Sequence, residues 1–404
     1  FEKFVEQEGC KFITWRKVPC NESILGQKAK DCMPNIYQAF IERPQNISSD
    51  VDFDKVLYVI RREFEKSCKE TYIASLSSRT IVYKGMFLVS QLRNFYLDLQ
   101  DKNYKSAIAI VHSRFSTNTT PSWQRAHPNR FIAHNGEINT ITANRNWAIA
   151  RTPKFENPLL PGLTELNPLV NLTGSDSSSL DNMLEILVGG GMDLFRALRM
   201  LVPPAWQNVE TLDADLRAFY EFNSKHMEAW DGPAGLVIQD GRHAICMLDR
   251  NGLRPARWVI TKNGYMTLAS EIGVWDYEPE DVISKGRVGP GQILVIDTAT
   301  GKLLDTNDVS SHLKKMRPYR QWLRENAVRL QGSPELEEHL SDKGLTGDQL
   351  KAAQKMFMVT FEERDQLLRP IAESGQEAVG SMGDDTPMAV LSRQVRHVSD
   401  YFRQ

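Results

Sequence analysis

Three turn signals in the second half of the chain constrain its fold more than any other feature. Asp240-Gly241, Asn263-Gly264 and Thr300-Gly301 each separate two short runs that are rich in β-branched and apolar residues. The central positions of such tight turns need a positive φ, which Gly and Asn adopt most readily. We therefore predict three antiparallel hairpins between residues 234 and 305.

Strands and helices are also predicted elsewhere by residue content and spacing. The β-branched and apolar runs 80–84 and 106–112 predict short buried strands. Helical spacing predicts helices over 178–188 (with Ser178 or Ser179 as N-cap), 192–201, 212–226 and 308–329, and the run Gly189–Gly191 should separate the first two. Antiparallel sheet with segregated helices is an α+β layered domain rather than a repeated βαβ unit.

Charge and hydropathy exclude several classes of partner. Lys+Arg minus Asp+Glu is 49 − 51 = −2 over 404 residues, so no basic groove for nucleic acid or an anionic membrane is expected. No apolar run approaches membrane-spanning length, which predicts a soluble, cytoplasmic protein. No glycine-rich dinucleotide or P-loop motif is present in the sequence.

Cysteine usage is sparse. The chain has an odd number of cysteines, which are widely spaced and form no CxxC pair: Cys10, Cys20, Cys32, Cys68 and Cys246. This pattern argues against a disulfide framework and against a zinc or iron–sulfur site in this chain.

The sequence changes character near residue 331. A charged, helical stretch poor in β-branched residues leads into the Gly/Asp/Pro-rich run 375–387. We predict a main domain over 1–330, a helical linker over 331–370 and the beginning of a second α/β domain over 371–404.

Three polar segments are the candidates for chemistry: VHSRFSTNTTPSW (111–123), FIAHNGEINT (131–140) and NLTGSDSSSLDN (171–182). In the first two, an apolar run passes into polar residues, which is where binding loops on a rigid sheet are commonly placed. Ser, Thr, Asn and Gly are also ordinary turn residues, so each segment taken alone could simply close a loop.

Together the three segments fit one substrate, an amino acid with a reacting side-chain amide. Arg114 can bind the α-carboxylate through its planar fork, and Thr117 can donate to the same group. Asp176 can balance the ammonium. Asn135 and Gly136 supply a side-chain amide and a backbone N–H that can form an oxyanion hole.

Two rival sites are weaker interpretations. His112, His127 and His134 lack the spacing of zinc ligands and a partner set, so structural or loop hydrogen bonding is expected of them. The serine run 175–179 has no Gly-x-Ser-x-Gly elbow, so helix capping around Asp176 is expected rather than serine hydrolysis.

The segments HSRFSTNT, AHNGEINT and TGSDSSSLDN resemble the signatures of class II glutamine amidotransferases, the N-terminal-nucleophile family. Asp-x-x-Gly-x-Arg-Pro at 249–255 and Ala-Ser-Glu at 269–271 resemble the family in general, whereas TGSDSSSLDN and EAVGSMGDDTP resemble glutamate synthase large subunits. The resemblance covers essentially the whole chain. It implies an αββα layered fold and the roles given above for Arg114, Thr117, Asp176, Asn135 and Gly136.

The resemblance also implies a reaction. An N-terminal cysteine attacks the glutamine amide with its own α-amine as base, ammonia leaves, and water hydrolyses the thioester. The first residue here is Phe1, and an internal cysteine such as Cys10 has no free α-amine. From the sequence alone we therefore expect a cut chain that lacks the nucleophile and is inactive by itself.

For the complete enzyme the resemblance implies that ammonia passes to reductive synthesis of glutamate from 2-oxoglutarate. It implies FMN and an iron–sulfur cluster, an oligomer, and in some members a small subunit that contains FAD and oxidises NADPH; no cofactor is expected in this chain. Two alternatives stay open: another class II amidotransferase, or a non-catalytic module that binds glutamine.

Overall fold

The computed structural model describes residues 1–115, 119–160, 162–328, 344–379 and 391–394. The chain divides into two compact units, Phe1–Ala327 and Val328–Gln404. The helices, numbered in chain order from α1 to α12, are Glu2–Gln7, Gln27–Asp31, Asp50–Ser67, Leu92–Phe95, Ile141–Arg151, Asp176–Gly189, Leu194–Leu201, Ala214–Ser224, Thr306–Lys315, Tyr319–Asn326, Gly347–Met356 and Arg369–Ser374. The strands, β1 to β10, are Lys11–Lys17, Tyr37–Glu42, Ile132–Gly136, Ala234–Gln239, His243–Leu248, Arg257–Thr261, Met266–Ala269, Val282–Arg287, Ile293–Asp297 and Lys302–Leu304.

All strand pairing in the described residues is antiparallel, as the hairpin signals predict. One sheet has five strands in the order β10-β9-β5-β4-β3, a second has three in the order β7-β6-β8, and β1 pairs with β2. The three predicted hairpins, β4-β5, β6-β7 and β9-β10, are confirmed. Gly241, Gly264 and Gly301 have φ of 88°, 78° and 66° at these turns.

The two larger sheets stack, and β5 shows how. Ile245 and Met247 on one face pack into the main core with α6, α7 and α8. Cys246 and Leu248, on the other face, pack with Trp258 and neighbouring side chains of the second sheet. Because β5 is covered on both faces, its residues do not alternate between buried and exposed as those of a half-exposed strand do. The layers therefore follow the order helices, five-stranded sheet, three-stranded sheet.

Several local expectations were wrong. The runs 80–84 and 106–112 form no strand, and Ile81 and Val111 are exposed. Neither run has a ladder partner among the described residues, and β propensity alone does not make a strand. The predicted helix over 308–329 is two helices, α9 and α10, separated at Pro318, whose ring cannot continue a helix interior.

The helices of the main core are otherwise close to prediction. Helix α6 begins at Asp176 with Ser175 as N-cap, so the expected N-cap at Ser178 or Ser179 was wrong by one turn. The glycine run separates α6 from α7 as expected, and Asp193 caps α7. In the described part of the chain, no helix combines the length and the apolar character needed to cross a bilayer.

The unit Val328–Gln404 contains α11 and α12 among its described residues, together with a π-helical turn over Glu363–Leu368. The predicted boundaries at 330 and 370 stay predictions. Most of 371–404 lies outside the described residues.

Candidate functional site

Strand β3 carries Asn135 and Gly136 to the edge of the core. Ile132 and His134 are buried, whereas Asn135 is exposed and Gly136 is half-buried. The strand pairs with β4 so that Asn135 is opposite Gly235 and Gly136 is opposite Ala234. The two predicted oxyanion-hole residues therefore lie where a buried strand reaches the surface.

The backbone at Gly136 admits only glycine. Its φ is 147°, and a Cβ added there would lie 1.8 Å from the carbonyl oxygen of Pro233. Gly232 has φ 153°, and its added Cβ would lie 2.0 Å from the carbonyl oxygen of Glu137. Glu137 N–H donates to the Pro233 carbonyl at 3.0 Å. The AHNGEINT and DGPAG segments thus cross in direct backbone contact, which fixes the end of β3.

Asp176 is tied directly to this crossing. It is the first residue of α6, and its Oδ2 accepts a hydrogen bond from Ile138 N–H at 2.7 Å. Its Oδ1 accepts from Ser177 N–H at 2.7 Å. Each carboxylate oxygen can accept a second hydrogen bond, so Asp176 keeps capacity for an ammonium group.

The serine run caps α6, as predicted. Ser175 Oγ accepts from Ser178 N–H at 3.2 Å. The Arg145 guanidinium donates to Ser179 Oγ at 3.0 Å and to the Gly174 carbonyl at 2.9 Å. These contacts hold the turn that presents Asp176, and they occupy the serines in structural hydrogen bonds.

The backbone of Arg114 is connected to strand β3 through the His112 ring. His112 Nδ1 accepts from Arg114 N–H at 3.2 Å, so its Nε2 carries the proton and donates to the His134 carbonyl at 2.9 Å. This anchors the 112–115 segment one residue from Asn135, and the Arg114 side chain is exposed. Thr117, the remaining predicted substrate-binding residue, lies outside the described residues.

His112 and His127 form side-chain hydrogen bonds, whereas His134 Nδ1 lies 3.7 Å from Asp176 Oδ2. His127 Nε2 lies 3.2 Å from Ser177 Oγ, and the His112 and His127 rings are 4.6 Å apart. Burial, with His112 and His134 nearby, lowers the pKa of His127 to about 3. Burial also lowers the pKa of His134, against the opposing effect of Asp176. Over the described ranges, no group of three or more His, Cys, Asp or Glu is arranged to hold a metal ion.

Two further residues at the site had been given no role from the sequence. Asp249 is buried, and its carboxylate accepts from Ala234, Asn251 and Gly252 N–H at 2.9, 2.9 and 3.2 Å. It therefore fixes the start of β4 opposite Gly136. Arg254 Cβ lies 3.2 Å from where a Gly235 Cβ would be, beside β3. Both belong to the Asp-x-x-Gly-x-Arg-Pro motif, which was the signal that could have identified them.

Comparison with known proteins gives two family matches. Residues 1–322 match the family of class-II glutamine amidotransferases. Residues 352–404 match the glutamate synthase central domain.

Named relatives agree with these matches. The chain is 42% identical over 407 residues to the glutamate synthase [NADPH] large chain of Bacillus subtilis, covering 99% of this chain and 26% of that protein. It is 41% identical to the corresponding large chain of Azospirillum brasilense, covering 96% of this chain and 26% of the other. It is 39% identical to a chloroplastic ferredoxin-dependent glutamate synthase of Oryza sativa, with 100% and 25% covered. The chain thus spans about a quarter of the length of these relatives.

One solved structure, a glutamine aminotransferase class-II domain protein from Silicibacter pomeroyi, was also found. It aligns over 43% of this chain and 65% of its own at 14% identity, with a TM-score of 0.24. That score is too low to carry an argument about the fold.

Proposed function

The chain belongs to the class-II glutamine amidotransferases, and on that premise we propose that it forms the glutamine-binding pocket and oxyanion hole of a glutaminase. The reaction converts L-glutamine to glutamate and ammonia.

One observation carries the proposal: three segments far apart in the sequence converge on the end of β3. The Ile138–Asp176 hydrogen bond of 2.7 Å ties α6 to it, and the His112–His134 hydrogen bond of 2.9 Å ties the Arg114 segment to it. Asn135 and Gly136 lie between these two contacts along the chain. This is the grouping expected of a site that binds both ends of an amino acid.

The proposed roles follow from the chemistry of each group. The Arg114 guanidinium, with Thr117, binds the substrate α-carboxylate, and Asp176 binds its ammonium. The Asn135 side-chain amide and the Gly136 N–H donate to the amide oxygen as it becomes an oxyanion. Because the Gly136 backbone is held against Pro233, these donors need little reorganisation during the reaction.

Three of the described cysteines, Cys10, Cys20 and Cys246, are poor candidates for the attacking thiolate. Burial raises the pKa of Cys20 to about 11 and that of Cys246 to about 12. Burial also raises the pKa of Cys10. Thiols with raised pKa are weak nucleophiles at neutral pH. An internal cysteine also has no free α-amine to act as its base, so we assign the catalytic role to none of these three, and the N-terminal sequence of the native protein decides which residue has it.

We further propose that the native protein is a glutamate synthase, in which the ammonia is used for reductive synthesis of glutamate from 2-oxoglutarate. The relatives named glutamate synthase, at 39–42% identity over nearly the whole chain, support this. So does the match of residues 352–404 to the glutamate synthase central domain. We propose a linker over 331–370, and its residues from 352 onward overlap the start of this match.

The proposal for the native protein includes FMN, an iron–sulfur cluster, a partner subunit containing FAD, an oligomeric assembly and a cytoplasmic location. The described part of this chain does not fit an iron–sulfur cluster, because its five cysteines are not grouped as ligands; Cys10 and Cys246, for example, are buried in two different hydrophobic clusters. No described group of ligands suits a metal ion. We therefore assign no residue of this chain to those groups.

The experiment is an assay of ammonia release from L-glutamine by the native protein, with L-asparagine and D-glutamine as controls. Release from L-glutamine alone supports the proposal. Binding of L-glutamine without any release would instead indicate a non-catalytic module.

A further inference from the structure

Helix α6 contacts β3 at a second point through Asp181. One carboxylate oxygen of Asp181 accepts hydrogen bonds from Phe131 and Ile132 N–H at 2.8 and 3.0 Å. The other accepts from Arg130 N–H at 3.2 Å. Asp181 is only 1% exposed. A buried side chain thus receives three consecutive backbone donors at the point where β3 begins.

The two carboxylates of α6 hold opposite ends of the same strand. Asp181 binds the chain entering β3, and Asp176 binds Ile138 N–H just after the strand ends. Asn135 and Gly136 lie between them. Hydrogen bonds to an ionised acceptor are about twice as strong as neutral ones, so together they resist sliding of β3 along α6.

We propose that Asp181 is a positioning residue for the oxyanion hole, fixing Asn135 and Gly136 relative to the substrate-binding Asp176. The inference rests on the proposed glutaminase function and adds a residue to it. Displacement of catalytic donors by about 1 Å costs about 10²-fold in rate. Substrate affinity depends less on that placement, because the α-carboxylate and ammonium groups are bound elsewhere.

The charges that face Asp181 come from three elements. Glu185 lies on α6 itself, Arg130 lies on the chain entering β3, and Lys84 lies on the segment before α4. Burial is the main cause that raises the pKa of Asp181 to about 6; Glu185 adds to this, and Arg130 opposes it. The carboxylate is therefore ionised at neutral pH and becomes protonated as the pH falls through about 6.

Protonation would replace one acceptor lone pair with an O–H donor facing a backbone N–H. The hydrogen bonds from residues 130–132 to Asp181 would then weaken. The rate of oxyanion formation would fall as a result. We expect a fall in kcat below about pH 6 that the dissociation constant for glutamine does not follow.

The test is Asp181→Asn in the native protein, with Glu185→Gln as the matched control. Glu185 is on the same helix but pairs with Arg61 rather than with β3. Its neutralisation should leave kcat at neutral pH unchanged and only move the acid fall to lower pH, because Glu185 raises the pKa of Asp181. For Asp181→Asn we expect kcat to fall by about 10- to 100-fold. The calorimetric dissociation constant for glutamine should stay within about twofold, and the acid fall in kcat near pH 6 should disappear.

Three outcomes would each overturn the inference: an equal loss of kcat and affinity, an unchanged kcat, or a fall in kcat near pH 6 that persists in Asp181→Asn. Glutamine hydrolysis by the wild type is measured in parallel. Its absence would reject the proposed function itself, so the two failures are distinguishable.

If Asp181→Asn does not fold, hydrogen exchange of the wild type gives a second test. The peptide covering residues 129–133 contains the three amide N–H groups that donate to Asp181. Exchange there, corrected for intrinsic rate, should speed up more between about pH 7.5 and about pH 5 than exchange in peptides from the core helix α7. A change with pH that is no larger than that of the α7 peptides would overturn the proposed role of Asp181.

Discussion

Gly136 and Pro233 lie in direct backbone contact: a Cβ on Gly136 would be only 1.8 Å from the Pro233 carbonyl oxygen. The end of β3 is therefore fixed by a close approach of two chains rather than by a side chain. Any side chain at 136 must displace this crossing and with it Asn135.

Gly136→Ala should destabilise the protein and abolish glutamine hydrolysis. Positive φ costs an ordinary residue about 1–3 kcal/mol, and the clash with Pro233 adds to that cost. The measurement is urea unfolding together with the hydrolysis assay. The control is Gly264→Ala, at a turn with φ 78° and open space around the added Cβ. Equal stability of the two variants would contradict the described crossing.

Arg114→Ala should remove glutamine binding while sparing any synthesis supported by free ammonia. Two charge-assisted hydrogen bonds to a carboxylate correspond to about 3 kcal/mol, so KM for glutamine should rise about 100-fold. Steady-state assays with glutamine and with ammonium salts separate the two activities. Arg93→Ala, at an exposed arginine of α4, is the control. If both activities fell together, the role of Arg114 in binding would be rejected.

Asn135→Ala should lower kcat by about 10²–10³, with little change in the dissociation constant for glutamine. Its amide acts on charge that develops only during the reaction, so ground-state binding depends on it weakly. Single-turnover kinetics and calorimetry measure the two quantities. The exposed Asn139 offers a matched Asn139→Ala control on the same loop. A defect mainly in affinity would remove Asn135 from the oxyanion hole.

The contribution of His127 to the free energy of unfolding should fall as the pH drops from about 6.5 towards 3, opposite in sign to the contribution of Asp181, whose pKa is raised. Burial lowers the pKa of His127 to about 3, below the value of about 6.5 in an unfolded chain. The unfolded state therefore binds this proton first, and the contribution of His127 to stability is full only above about pH 6.5. Between about pH 6.5 and 5 the loss should be about 2 kcal/mol.

Urea unfolding as a function of pH tests this expectation. His127→Gln should flatten the slope of unfolding free energy against pH, whereas His226→Gln, at an exposed histidine, should leave it unchanged. An unaltered slope in His127→Gln would show that His127 titrates normally in the folded protein.

The sequence predicted what depends on local conformation. The three hairpins were correct because Gly241, Gly264 and Gly301 supply the positive φ that the turns need. Asn135-Gly136 has the same residue types, but it ends a strand, and Gly136 is required there by the approach of Pro233. That requirement comes from a segment about 100 residues away and has no local signature.

What depends on distant partners could not be read from the sequence. The runs 80–84 and 106–112 have strand composition without a strand partner among the described residues. Asp181 and Asp249 looked like ordinary polar residues, because their importance lies in the backbone N–H groups they receive from other elements. Asn135 and Asp176 were proposed as site residues from their chemistry and then from the family resemblance, and the Ile138–Asp176 hydrogen bond is the contact that connects their segments.

The most direct test of the central claim is a crystal structure of the native protein with L-glutamate bound. We expect the α-carboxylate on Arg114, the ammonium on Asp176, and a γ-carboxylate oxygen within about 3.2 Å of both Asn135 Nδ2 and Gly136 N. Glutamate bound at another place, or bound here without contact to Asn135 and Gly136, would contradict the account.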